Sequence, residues 1–143
     1  MFAVYRDLVR SDLYRLRGRT GLLPLLRHLV LGGSTGTFQY VFWMRTCRFA
    51  SAHPTLRITL YPLSRVMLRH YTYKYGIDIP HTTSIGSDFY IGHFGGIVVN
   101  EQAVIGRNCN LSQQVTLGQA NRGKRKGHPI IGDDVYIGPG PRW

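Results

Sequence analysis

The stretch Thr83-Ser84-Ile85-Gly86-Ser87-Asp88-Phe89-Tyr90-Ile91-Gly92 decides how this chain is read, because two aliphatic-glycine pairs stand six residues apart. The same step extends in both directions through Ile79, Ile85, Ile91 and Ile97, then Ile105, Leu111, Leu117, and finally Ile131 and Ile137. Six of these residues are followed directly by glycine, at Gly86, Gly92, Gly106, Gly118, Gly132 and Gly138. A period of six matches neither a helical face, which recurs near 3.6, nor a two-sided strand, which recurs at 2. It fits a solenoid of very short strands, each hexapeptide forming one face of a triangular prism with its aliphatic residue inward. Small residues beside the aliphatic ones then permit tight corners.

Two interruptions are informative. The step from Ile97 to Ile105 is eight, which predicts a bulge over Val99 to Val104. The step from Leu117 to Ile131 is fourteen, and its excess holds Gln119 to Pro129, a polar segment with Gly123 and Gly127. Such a segment leaves the stack as an exposed loop, since its backbone could not be satisfied inside, and solenoid insertions commonly build the binding face.

Composition places the 143 residues as one domain with a helical preface, and 43% hydrophobic content excludes a disordered chain. The net charge of +11 is unevenly placed: residues 1–74 hold twelve Lys or Arg against Asp7 and Asp12, a balance of +10. The repeat region is nearly neutral. Three helical pieces are expected before it: Val4 to Arg17, Thr37 to Ala52 with Phe38, Val41, Phe42 and Phe49 near one face, and Arg57 to Tyr73 with Ile58, Tyr61, Met67 and Leu68. Pro54 and Pro62 punctuate the second and third, and His28 to Met44 reads as two apolar fragments around a loop. Arginines interleaved with aromatic residues suit nucleic acid, an anionic membrane surface, or a packed helical cap with its arginines in solvent. No nucleic-acid-binding motif is present, so no nucleic-acid partner is expected, and peripheral membrane contact through the basic region stays open. Neither a secretory signal nor a membrane span is visible. Cys47 and Cys109 lack a CxxC spacing and suggest a reducing, cytoplasmic compartment without a bridge.

The runs Gly76-Ile77-Asp78-Ile79-Pro80, Ile91-Gly92-His93-Phe94-Gly95-Gly96-Ile97-Val98-Val99-Asn100-Glu101 and Gln114-Val115-Thr116-Leu117-Gly118, with the loop ending His128-Pro129, resemble the serine acetyltransferase family. That resemblance implies a left-handed parallel β-helix of hexapeptide repeats over residues 75–143, behind a basic α-helical region over 1–74. It implies acetyl-CoA as acyl donor and a homotrimer with active sites between subunits. Ser11-Asp12-Leu13-Tyr14-Arg15 and Tyr40-Val41-Phe42-Trp43 are similar to a short-headed branch associated with surface polysaccharide.

The chemistry follows from residue types. Moving an acetyl group from a thioester to an alcohol needs a base of near-neutral pKa beside the hydroxyl, which histidine supplies. His93 matches the family's catalytic histidine, and Asp78 the acid that orients its ring. The resemblance makes His128 a loop histidine reaching a neighbouring subunit's site. Arg122, Lys124, Arg125 and Lys126, with Gly118, are candidates for binding coenzyme A, since clustered cations suit phosphate oxygens. His81, Asp88 and His93 fit no standard zinc spacing, so no metal is expected.

The sequence departs from the serine enzymes where the acceptor is chosen. Their aspartate before the catalytic histidine is replaced here by Gly92, and their arginine before the loop histidine by Gly127. A saccharide hydroxyl is therefore the expected acceptor, with serine, as in cysteine biosynthesis, the alternative. Family members also continue through further coils, whereas this sequence stops at Pro141-Arg142-Trp143. The expectation is an uncapped last coil and an incomplete donor site, which leaves a non-catalytic trimeric scaffold as a further alternative.

Overall fold

A computed structural model describes residues 1–32, 37–124 and 126–140, with the side chain of Arg17 outside that description. Four helices come first: α1 Phe2–Arg17, α2 Leu22–Leu31, α3 Thr37–Ser51 and α4 Pro54–Tyr75. Nine short strands follow, β1 Ile77–Asp78, β2 Ser84–Ile85, β3 Tyr90–Ile91, β4 Ile97–Val99, β5 Val104–Ile105, β6 Asn110–Leu111, β7 Thr116–Leu117, β8 Ile130–Ile131 and β9 Tyr136–Ile137. Each of the first six strands pairs in parallel with the one three places on, giving three sheets ordered β1-β4-β7, β2-β5-β8 and β3-β6-β9. The chain thus crosses each sheet once before returning to the first.

The pairing corrects the expected bulge. Val98 lies opposite Thr116 and Val99 opposite Leu117, so Val99, not Ile97, holds the stacked position next to Leu117. Ile97 pairs with Ile77 one step earlier on the same sheet. The two surplus residues therefore sit in the corner between β3 and β4, at His93 to Gly96, and not over Val99 to Val104. Ile97 and Val99 are both aliphatic, both buried and two apart on one face. Sequence spacing alone cannot choose between such residues.

The glycines also act differently from the expectation. Gly86 is needed for close approach: a Cβ there would lie 2.7 Å from the Arg107 nitrogen and the Gly106 carbonyl of the next coil. The left-handed turns at residues with a side chain fall instead on Asp88, Asn108, Gln114 and Asp134, at φ 58°, 56°, 59° and 60°. Asp and Asn tolerate this conformation better than other residues with a side chain, and Asn108 Nδ2 donates to Asp134 Oδ1 at 2.6 Å.

The helical region differs from its reading in three places. Residues 22–31 form a helix where none was expected, entered through Gly21 and closed by Gly32 in the left-handed conformation. The fragment His28 to Leu31 belongs to it, and of the loop expected over 32–36 only Gly32 is described, the rest lying outside the described residues. Pro62 is internal to α4 and does not end it. Pro62 and Ile58 both face solvent, so the Ile58 carbonyl deprived of its helical partner can be hydrated at little cost. Ile58 is accordingly not on the packed face, which carries Ser64, Leu68, Tyr71 and Tyr75.

The head seals the first coil. Tyr40 Oη accepts the Ile79 N–H at 2.8 Å and donates to the Ile79 carbonyl at 2.9 Å, and Thr37 Oγ1 donates to the Ile91 carbonyl at 2.8 Å. Arg45 donates to the carbonyls of Ile85 and Gly86, and Asp12 accepts the Phe89 N–H at 2.8 Å. Arg48 donates to the Thr83 carbonyl at 2.6 Å. These side chains satisfy backbone groups that a parallel edge strand leaves open. One core runs through the junction, from Tyr40, Met44, Cys47 and Leu68 to Ile77, Ile91 and Leu117.

Candidate active site

His93 occupies the enlarged corner, and its neighbours fix that corner from three sides. Gly92 N–H donates to the Leu111 carbonyl at 3.0 Å, the Gln114 N–H to the Gly95 carbonyl at 2.8 Å, and the Ile97 N–H to the Gly76 carbonyl at 3.1 Å. Gly95 and Gly96 have φ of 108° and 66°, which glycine adopts without the steric cost of a Cβ. Gly76, at φ 60°, ends α4 and packs so closely that a Cβ on it would come within 3.4 Å of the Gly96 nitrogen. Phe94 lays its ring 5.4 Å from that of Tyr75, whose hydroxyl donates to the buried Gln39 Oε1. The corner is thus clamped to the last turn of α4 while His93 itself stays exposed to solvent. Tyr75 is not among the residues read from the sequence, and Gly76, Phe94 and Gln114 stand there only within the runs that carry the resemblance, with no role of their own. The glycines of Gly92-His93-Phe94-Gly95-Gly96 were its visible signal.

Asp78 is the outward residue of β1, opposite Val98 of β4, the strand that the His93 corner leads into. Its side chain lines a cleft of about 500 Å³ between α4 and the first coil, with Arg65, Arg69, Thr72, Tyr73 and His81. His93 does not line that cleft, and among the described residues no hydrogen bond joins Asp78 to His93. In His81, burial and the nearby Arg65 guanidinium disfavour the protonated ring and hold its pKa below the usual histidine value. Arg65 Nη1 lies 3.4 Å from His81 Nδ1. Among the described residues no group of three or more His, Cys, Asp or Glu side chains is gathered so as to hold a metal ion.

The insertion between β7 and β8 is pinned at its base, where Ala120 and Gly127 exchange N–H to carbonyl bonds of 3.0 Å in an antiparallel bridge. Arg122, Lys124 and Lys126 are exposed on this arm, Gly118 is exposed just before it, and Arg125 lies outside the described residues. His128 is half-buried at the arm's return, and its Nδ1 is enclosed with no hydrogen-bond partner among the described residues. Among the described residues no hydrogen bond joins His128 to His93.

Comparison with known proteins bears on this arrangement. No family model matches the chain. It is 36% identical over 91 residues to a protein from Bacillus pumilus (strain SAFR-032) named serine acetyltransferase, covering 64% of this chain and 42% of that protein. A protein from Bacillus subtilis (strain 168), likewise 36% identical over 91 residues and 42% covered, bears the same name. Among solved structures, serine acetyltransferase isoform 3 from Entamoeba histolytica in complex with cysteine matches 95% of this chain at 33% identity, with a TM-score of 0.65 over 46% of that chain. Soybean serine acetyltransferase complexed with serine matches 96% at 28% identity, with a TM-score of 0.68 over 54% of its length. The chain therefore spans about half the length, or less, of these serine acetyltransferase relatives. The structural likeness includes the helical head, since it extends over nearly the whole chain, whereas the sequence likeness covers 64%.

Proposed function

We propose that this chain carries the acceptor side of an acetyl-CoA-dependent O-acetyltransferase, wound as a left-handed parallel β-helix and working as a trimer. The acceptor hydroxyl oxygen attacks the thioester carbonyl as His93 removes its proton. The tetrahedral centre collapses with cleavage of the carbon–sulfur bond, and the departing thiolate takes the proton back from the imidazolium. Asp78 is the group that orients the ring, and closing that contact needs a rearrangement of side chains, as catalytic hydrogen bonds often tighten only with substrate bound. Arg122, Lys124, Arg125 and Lys126, with Gly118, serve the phosphates of coenzyme A. His128 enters a neighbouring subunit's site from the arm, the role that the resemblance gives it. The observation that carries the reading is the enlarged, clamped corner presenting His93, in a chain whose relatives are serine acetyltransferases.

The acceptor in this reading is a saccharide hydroxyl. Gly92 and Gly127 supply no charge to hold a zwitterion, and charge-assisted contacts contribute about 1.5–3 kcal/mol each. Serine remains a second reading because the matched relatives bear that name. A coenzyme A release assay with acetyl-CoA, offering serine and a panel of saccharides separately, decides between them. Saccharide turnover with weak serine turnover is expected. A Cβ at Gly92 meets only ordinary contacts, the nearest being Tyr90 Cε1 at 3.6 Å. Gly92→Asp should therefore fold and lower KM for serine about tenfold or more. Saturable serine turnover without saccharide turnover in the unaltered chain would reject the saccharide. No turnover with any acceptor, together with no binding of acetyl-CoA, would favour a scaffold.

A further inference from the structure

Helix α2 contains no buried residue, although it is ten residues long and eight of them are Leu, Val or Pro. Its inner side packs Leu25 and Leu29 onto the small cluster of Val9, Leu13 and Phe38. Its outer side leaves Leu22, Leu23, Leu26, Val30 and Leu31 in water, between 47% and 80% exposed. Leu22, Leu26 and Val30 follow one another at four-residue steps and form a stripe. Beside the stripe, an apolar groove of about 710 Å³ opens between α1 and α2, lined by Phe2, Tyr5, Val9, Leu22 and Phe42, with Arg6 and Arg10 also in its walls. Contiguous exposed apolar surface of this kind marks a contact with something.

Charge selects the occupant. No Asp or Glu occurs between Leu13 and Ile77, Asp12 is buried against Arg45, and Asp7 is the remaining acid of the head. Arg19 and Arg27 flank the stripe and are exposed. A second copy of this face would press two equally basic surfaces together. A nucleic acid would take the charge and leave the leucines in water. An anionic bilayer accepts both, the leucines entering the acyl boundary and the arginines meeting lipid phosphates. No helix among the described residues is long and apolar enough to cross a membrane, so contact would be in the interface plane. We infer that α2 and the adjoining face of α1 dock this protein on an anionic lipid surface. The inference is independent of the catalytic reading.

The test is co-sedimentation of the full chain with phosphatidylcholine vesicles, with and without phosphatidylglycerol. Binding is expected only with phosphatidylglycerol, and it should weaken but persist in high salt. Leu23→Gln/Leu26→Gln/Val30→Gln should lower vesicle affinity about tenfold or more, because apolar burial supplies part of the binding. Those side chains lie outside the packed cluster, so circular dichroism should be unchanged. Arg19→Gln/Arg27→Gln should also weaken binding, by removing charge. Failure to sediment with anionic vesicles would overturn the inference, as would equal binding by the triple variant. Displacement by duplex DNA with the triple variant unaffected would indicate a nucleic-acid surface instead. A triple variant that shifts to a smaller assembly in light scattering, with no vesicle binding by either form, would assign the face to a second copy.

Discussion

Asp12 Oδ2 and Arg45 Nε meet at 3.0 Å in a fully enclosed ion pair, and both partners also bind backbone of the first coil. Arg45 holds the carbonyls of Ile85 and Gly86, and Asp12 holds the N–H of Phe89. The pair therefore joins α1, α3 and two strand ends at one point. Removing one partner leaves a buried charge and several backbone groups unsatisfied, which costs about 3–5 kcal/mol. Asp12→Ala and Arg45→Ala should each lower the urea unfolding midpoint accordingly. The double substitution should cost less than the two single losses added together, since neither charge is then stranded. Strict additivity would show that the two residues do not act as a pair.

Neighbouring glycines of the repeat should differ sharply in tolerance. Gly86→Ala forces a Cβ to within 2.7 Å of backbone in the next coil and should destabilise by about 1–3 kcal/mol. Gly92→Ala meets Tyr90 Cε1 at 3.6 Å and the Leu111 carbonyl at 4.0 Å, and should change stability by no more than about 0.5 kcal/mol. Thermal melts of the two variants check the contrast. Equal losses would mean that close approach between coils is not what Gly86 serves.

His93→Ala should lower turnover by about 10² to 10⁴ with acetyl-CoA affinity nearly unchanged, because a general base acts mainly in the transition state. Asp78→Asn should cost less, since the imidazole remains but is held less firmly. Coenzyme A release measured alongside circular dichroism separates lost chemistry from lost fold. Near-normal turnover in a folded His93→Ala protein would remove this residue from the mechanism.

The environment of His81 sets a pH dependence. Its folded pKa lies below the unfolded value of about 6.5, so the unfolded chain binds the extra proton first. The stability it contributes is present above that unfolded value and is lost as pH falls toward the folded one. The difference in urea midpoint between the natural chain and His81→Gln should be constant near pH 8 and shift in favour of His81→Gln below pH of about 6. Parallel curves would show that the ring is not protected from protonation.

The sequence alone determined the repeat, because a stacked column requires an aliphatic residue at one position in six whatever else the chain does. It also made visible the polar arm, the basic head and the histidine among glycines at residues 92–96, since each is a local departure from its surroundings. Tertiary structure decided what local pattern leaves degenerate. Ile97 and Val99 are equally fit for the core, and only pairing with β7 shows which one stacks, which in turn moves the surplus residues to the corner of His93. Helix α2 escaped the pattern because it is apolar on its outer as well as its inner side, leaving no polar face to mark a helical period. Asp12 and Arg45 stand 33 residues apart and look like two more charges of the head. Their burial depends on packing that brings α1, α3 and the first coil together, and no feature near either residue in the sequence encodes that meeting.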